Sequence, residues 1–125
     1  MTPWIVVPSH WSEEELLHQA EHLVGSLICN TGFNCAAPRV VVTWRGWSQR
    51  ERFLDAVQEF LDLVPARLAW YPGASERYAD YLGAPAPADR AFPWGFLRDV
   101  DPATHPHVVA RECFCLLYTS PSPRD

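Results

Sequence analysis

Cys35 lies in the stretch Asn30-Thr31-Gly32-Phe33-Asn34-Cys35-Ala36-Ala37-Pro38-Arg39, a run of turn formers with small residues beside the thiol. A cysteine thiolate attacks carbonyl carbon readily. Gly32 permits a tight turn, and Ala36 and Ala37 leave room beside the sulfur. The Cys35 N–H is placed to donate to an oxyanion formed by attack of its own sulfur. Loops held between rigid elements are where such nucleophiles tend to sit. On spacing alone, a buried structural cysteine is the commoner outcome for a free thiol.

Three other groupings carry chemistry-bearing side chains. His18-Gln19-Ala20-Glu21-His22 fits H-x-x-E-H, in which two histidines bind zinc and the glutamate acts as base. These residues fall opposite the apolar stripe of their helix, whereas a catalytic zinc needs a cleft and a third protein ligand. A solvated helix face is therefore favoured over a zinc hydrolase site, and no metal is expected. His105-Pro106-His107 has no spaced partner ligand and reads as loop histidines. Trp44, Trp47, Trp70, Tyr71, Trp94 and Phe96 form an aromatic set. A stacking platform for bases needs interleaved cations, so core and loop packing is favoured there.

The elements that must position Cys35 follow from patterning. Trp4 to Val7 is a short apolar run compatible with a buried strand. Ser12 and Glu15 form a capping-box pattern, and Leu16, Leu17, Ala20, Leu23, Val24, Leu27 and Ile28 follow on one stripe. The spacing predicts a helix from Glu13 to Cys29. Val40 to Trp44 is a β-branched run that predicts a second buried strand. Ser48 to Glu51 reads as another capping box, opening a helix that Pro65 ends. Strand, helix, strand, helix favours an α/β domain with a mainly parallel sheet and flanking helices. Beyond Pro65 the pattern suggests a short helix over Ala74 to Leu82, a Pro/Ala-rich loop over Gly83 to Asp89 and a strand over His107 to Ala110.

With Cys35 placed between a helix and a valine-rich strand, the chain resembles the NAD(P)-dependent aldehyde dehydrogenase superfamily. The family's signature is similar to N-x-G-Q-x-C followed by small residues and such a strand, and Asn30, Gly32 and Cys35 match it. Phe33 stands where Gln or Glu is usual. Arg111-Glu112-Cys113-Phe114 resembles the family's E-x-F motif, preceded by Asp99-Val100-Asp101. The resemblance implies part of the aldehyde dehydrogenase catalytic domain over residues 1–114, truncated at both ends. It implies Cys35 as the catalytic nucleophile and Glu112 and Phe114 as contacts to NAD or NADP. The reaction implied is oxidation of a small-molecule aldehyde to a carboxylic acid through a thiohemiacetal and a thioester. The family's general-base Glu and nucleotide-binding domain are expected upstream of Met1, so the chain by itself is expected to be inactive. A non-catalytic relative using the fold for binding or assembly is the alternative, and Phe33 makes it plausible.

Composition bounds these readings. The chain has 125 residues, is 48% hydrophobic and 20% charged, and carries a net charge of -5. That charge argues against nonspecific nucleic-acid binding. The longest uncharged run, Leu23 to Pro38, is too short and polar to span a bilayer. No signal-peptide pattern opens the chain. All 10 basic residues are Arg, which GC-rich coding explains. Cys115 to Asp125 resembles one reading frame of a transposon-type sequencing adapter, so residues 115–125 are expected to be a non-native, disordered tail. Cys29, Cys35 and Cys113 then remain, without a C-x-x-C spacing, which points to free thiols and a cytoplasmic parent protein. A homo-oligomeric parent is compatible with the resemblance.

Overall fold

The computed structural model describes residues 2–68, 70–82, 85–89, 91–100 and 116–121, with backbone alone for 80–82 and 116–121. It shows a small mixed α/β fold. The elements are β1 (Pro3–Ile5), α1 (Glu13–Ile28), β2 (Val40–Thr43), α2 (Arg50–Asp62), β3 (Arg67–Leu68), α3 (Ala74–Leu82), β4 (Ala91–Phe92), β5 (Gly95–Leu97) and β6 (Leu116–Pro121). One four-stranded sheet runs in the order β1-β2-β6-β5, and all its neighbours are parallel. β3 and β4 form a separate antiparallel pair, with Arg67 opposite Phe92.

Helix α1 begins where the sequence says it should. Ser12 Oγ accepts from the Glu15 N–H at 3.2 Å, and Glu15 Oε2 accepts from the Ser12 N–H at 2.8 Å. This reciprocal box satisfies two donors that the helix itself leaves orphaned. Glu13, Glu14 and Glu15 in the first turn also complement the helix dipole. The Glu15 carboxyl is held below its ordinary pKa, first by the Ser12 backbone N–H and then by the Ser12 hydroxyl. The helix ends at Ile28, one residue earlier than the periodicity suggests, because Cys29 turns to extended backbone.

Helix α2 starts differently from expectation. The capping box at Ser48 is not formed, and Gln49 takes the N-cap position without a side-chain cap. Trp44 to Arg50 winds into consecutive turns instead, with Trp47 N–H on Trp44 O at 3.1 Å and Arg50 N–H on Trp47 O at 3.0 Å. The Gln49 amide is used elsewhere. It accepts from the Trp11 N–H at 2.9 Å and donates to the Trp11 carbonyl at 2.8 Å, tying the entrances of the two helices together.

The core lies where α1 and α2 pack on each other and on β2. Leu16, Leu23, Leu27, Phe53, Leu54, Val57 and Val41 are fully buried there. Each such side chain contributes about 1.5–3 kcal/mol relative to exposure. Arg50 is the buried cation of this region. Its Nε donates to Thr43 Oγ1 at 3.0 Å, and its terminal nitrogens pair with Glu51 and Asp99.

The C-terminal segment departs from the expected disordered tail. Leu116–Pro121 is the third strand of the main sheet, with Val40 opposite Tyr118 on one side and Gly95 opposite Leu116 on the other. Leu, Tyr and Thr suit an extended strand. A strand between β2 and β5 also supplies partners for backbone groups that both would otherwise leave unpaired. The proposed strand at His107 to Ala110 lies outside the described residues.

Candidate functional site

The loop that carries Cys35 is wound by an unusual backbone. Asn30, Thr31 and Gly32 have φ of 51°, 57° and 76° in succession. Asn and Gly tolerate the left-handed region, but a β-branched Thr is costly there. The Phe33 N–H closes this turn on Asn30 O at 3.0 Å. A second turn follows at once, with Ala37 N–H on Asn34 O at 3.0 Å and Ala36 N–H on Asn34 Oδ1 at 3.1 Å. Asn34 thus behaves as an Asx-turn residue, with Cys35 at the first corner of that turn.

Cys35 is tied to the start of the sheet. Its carbonyl accepts from Thr2 Oγ1 at 2.9 Å, and the Thr2 carbonyl accepts from the Arg39 N–H at 3.1 Å. Its sulfur is exposed and donates to Asn34 Oδ1 at 3.7 Å. The same amide donates through Nδ2 to the exposed Cys29 sulfur at 3.7 Å. The exposure of Cys35 sets it apart from the buried structural cysteine that spacing alone favours.

Cys35 borders a cleft of about 300 Å³. One wall is aromatic: Phe33 lies against Trp70 with centroids 4.9 Å apart and stacks on Tyr71 at 5.4 Å. The rest of the lining includes Thr2, Asn34, buried Arg39 and exposed Arg77. No carboxylate and no histidine is among the described lining residues. These residues offer a thiol, amide and hydroxyl hydrogen-bonding groups and arginine side chains. At this volume the cleft sits at the lower end of small-molecule sites and fits an aldehyde-sized molecule rather than a dinucleotide.

Against protein-family models, curated proteins and solved structures, the chain shows no match.

Other sequence candidates fall elsewhere. Glu112 and Phe114, the expected cofactor contacts, lie outside the described residues, as do His105 to His107. His18, Glu21 and His22 are exposed on α1, and Trp4 stands edge-on to His22 at 5.2 Å. Among the described residues no three His, Cys, Asp or Glu side chains gather as a metal cluster. No helix among them is long and apolar enough to cross a membrane. The aromatic set divides: Trp47 and Trp94 are buried in the core, whereas Trp70 and Tyr71 face the cleft.

Several contributors escaped sequence reasoning. Asn34 holds the turn and contacts both sulfurs, although its place beside Cys35 was visible. Arg39 and Arg77 share the cleft across a long stretch of chain, and no local spacing signals that meeting. Trp70 and Tyr71, which the sequence assigned to core and loop packing, line the cleft with Cys35.

Proposed function

We propose that the chain carries the nucleophile segment of an NAD(P)-dependent aldehyde dehydrogenase-like oxidoreductase, with Cys35 as the attacking residue. The supporting observation is an exposed thiol held on a doubly wound turn at the edge of a substrate-sized cleft. The Cys35 sulfur forms a bond to the aldehyde carbon, and the carbonyl electrons move to oxygen. The Cys35 N–H, which has no hydrogen-bond partner among the described residues, is the donor proposed for that oxyanion. Protonation gives a thiohemiacetal. NAD(P), which Glu112 and Phe114 would hold, would supply the hydride acceptor needed to take this adduct to a thioester. Hydrolysis of the thioester by water then releases the carboxylic acid and restores the thiol.

Among the described residues, the cleft lining contains no carboxylate or histidine to take the thiol proton or activate the water. The chain alone is therefore expected to form covalent adducts without sustained turnover. The same lining favours, as a second reading, an aldehyde dehydrogenase-like domain that binds ligands and does no chemistry.

An activated ester separates the two. The purified 125-residue chain, treated with p-nitrophenyl acetate, is expected to release about one equivalent of nitrophenolate as acetyl transfers to sulfur. Peptide mapping should place the acetyl group on Cys35, ahead of Cys29, Cys113 and Cys115. Cys35→Ser should abolish the burst, and Cys29→Ser should keep it. Acetylation spread evenly over the thiols refutes the nucleophile assignment. A folded chain that does not acylate but binds ligands in the cleft supports the non-catalytic reading.

A further inference from the structure

The chain carries a net charge of -5, yet the charged side chains among the described lining residues of the cleft are Arg39 and Arg77. Arg39 is buried and forms part of the floor. Arg77 is exposed on α3, where its guanidinium is open to a ligand. The same cleft carries the aromatic wall. Trp70 and Tyr71 remain about half exposed, at 55% and 48%, although each ring touches Phe33. Half-exposed aromatic rings beside an arginine cost solvation in the absence of a ligand, and they suit a flat anionic one. The rings take a planar body by stacking, and the guanidinium takes a carboxylate through paired N–H donors.

We propose that this cleft selects an aromatic or similarly flat aldehyde bearing a carboxylate, with the ring on Trp70 and Tyr71 and the carboxylate on Arg77. The inference rests on the assignment of Cys35 as nucleophile for its aldehyde part. The anion-and-ring subsite stands apart from that assignment, because Trp70, Tyr71 and Arg77 take no part in bond making.

The test uses two probes on the full chain. Terephthalate, which has no aldehyde, reports the subsite alone through tryptophan fluorescence. 4-Formylbenzoate reports the subsite and Cys35 together. Terephthalate is expected to bind more tightly than the neutral terephthalamide, and to weaken as salt is raised. Arg77→Met should weaken terephthalate about fivefold, as loss of an exposed charge-assisted contact implies. Arg77→Lys should recover part of the affinity, because the charge remains and the paired donors do not. Trp70→Ala should weaken terephthalate and terephthalamide alike. Cys35→Ser should abolish any covalent adduct with 4-formylbenzoate.

Equal affinity for terephthalate and terephthalamide overturns the proposal, as does an Arg77→Met variant that binds normally. Terephthalate binding without a Cys35 adduct upholds the subsite and counts against the nucleophile. Acetylation of Cys35 by the activated ester without terephthalate binding does the reverse.

Discussion

Phe33 stacks on Tyr71, with ring centroids 5.4 Å apart and planes 29° apart, and so joins the Cys35 loop to the turn before α3. This contact sits at the position where the resembled family usually has Gln or Glu. It gives the aromatic side chain a structural use in this chain. Phe33→Ala should lower stability by about 1–2 kcal/mol, less than a fully buried phenylalanine because Phe33 is half-buried. Loosening the loop should also speed alkylation of Cys35 by iodoacetamide. Urea denaturation and timed mass spectrometry measure the two effects.

Thr31 is the least comfortable residue of that loop, a β-branched side chain at φ 57°. Thr31→Gly removes steric strain of about 1–2 kcal/mol, partly offset by the greater entropy of a glycine in the unfolded chain. A net gain of about 1 kcal/mol is expected. Gly32→Ala, at φ 76°, should act in the opposite sense by about 1 kcal/mol. Thermal melts of both variants against the parent chain check the pair of signs.

Arg50 is only 5% exposed and ties α2 to Thr43 of β2 and to Asp99 beyond β5, besides pairing with its helix neighbour Glu51. Arg50→Met leaves the buried Thr43 hydroxyl without its donor and separates Asp99 from α2. A loss of about 2–3 kcal/mol is expected. Asp99→Asn should cost less than about 1 kcal/mol, because Asp99 is exposed and asparagine tolerates its φ of 53°. Similar losses in the two variants would show that the salt bridge, rather than the Thr43 bond, dominates.

The capping box makes a pH-dependent prediction. The Glu15 pKa is lowered in the folded chain by the Ser12 N–H and hydroxyl. A carboxyl with a depressed folded pKa stabilises above its unfolded pKa, and that contribution is lost as pH falls through the folded value. The stability gap between the parent chain and Glu15→Gln should therefore be widest near neutral pH and close on acidification. Ser12→Ala should cost about 1 kcal/mol at neutral pH. Denaturation curves across the acidic range give the result.

The strand at Leu116–Pro121 can be tested twice. Re-amplified source DNA is expected to give a different sequence after Phe114. In the chain as it stands, deleting residues 115–125 should leave facing edges of β2 and β5 unpaired. Self-association on size-exclusion chromatography is the expected result. A monomeric, equally stable deletion variant would show that the strand contributes little.

Local chemistry made much of this fold legible. Ser12, Glu15 and the apolar stripe from Leu16 to Ile28 specify α1 because a cap and a 3.6-residue period act within a few turns of chain. Val40 to Val42 specify β2 by β-branching, and the alternation of helix and strand implied a parallel sheet that the registers show. The Ser48 box does not form, and the helix instead opens at Gln49, whose amide bonds to Trp11, a partner 38 residues away. The segment expected to be disordered became a strand because pairing depends on open edges elsewhere in the sheet.

The site divides along the same line. By itself the sequence determined that Cys35 lies in a turn-rich loop between a helix and a strand, since turn formers and periodicity are local properties. Only the tertiary structure decided that the thiol is exposed, that Phe33 rests on Tyr71, and that Arg39 and Arg77 line one cleft with it. Those outcomes depend on how α1, β2 and α3 pack, and packing joins residues whose separation along the chain carries no periodic signal.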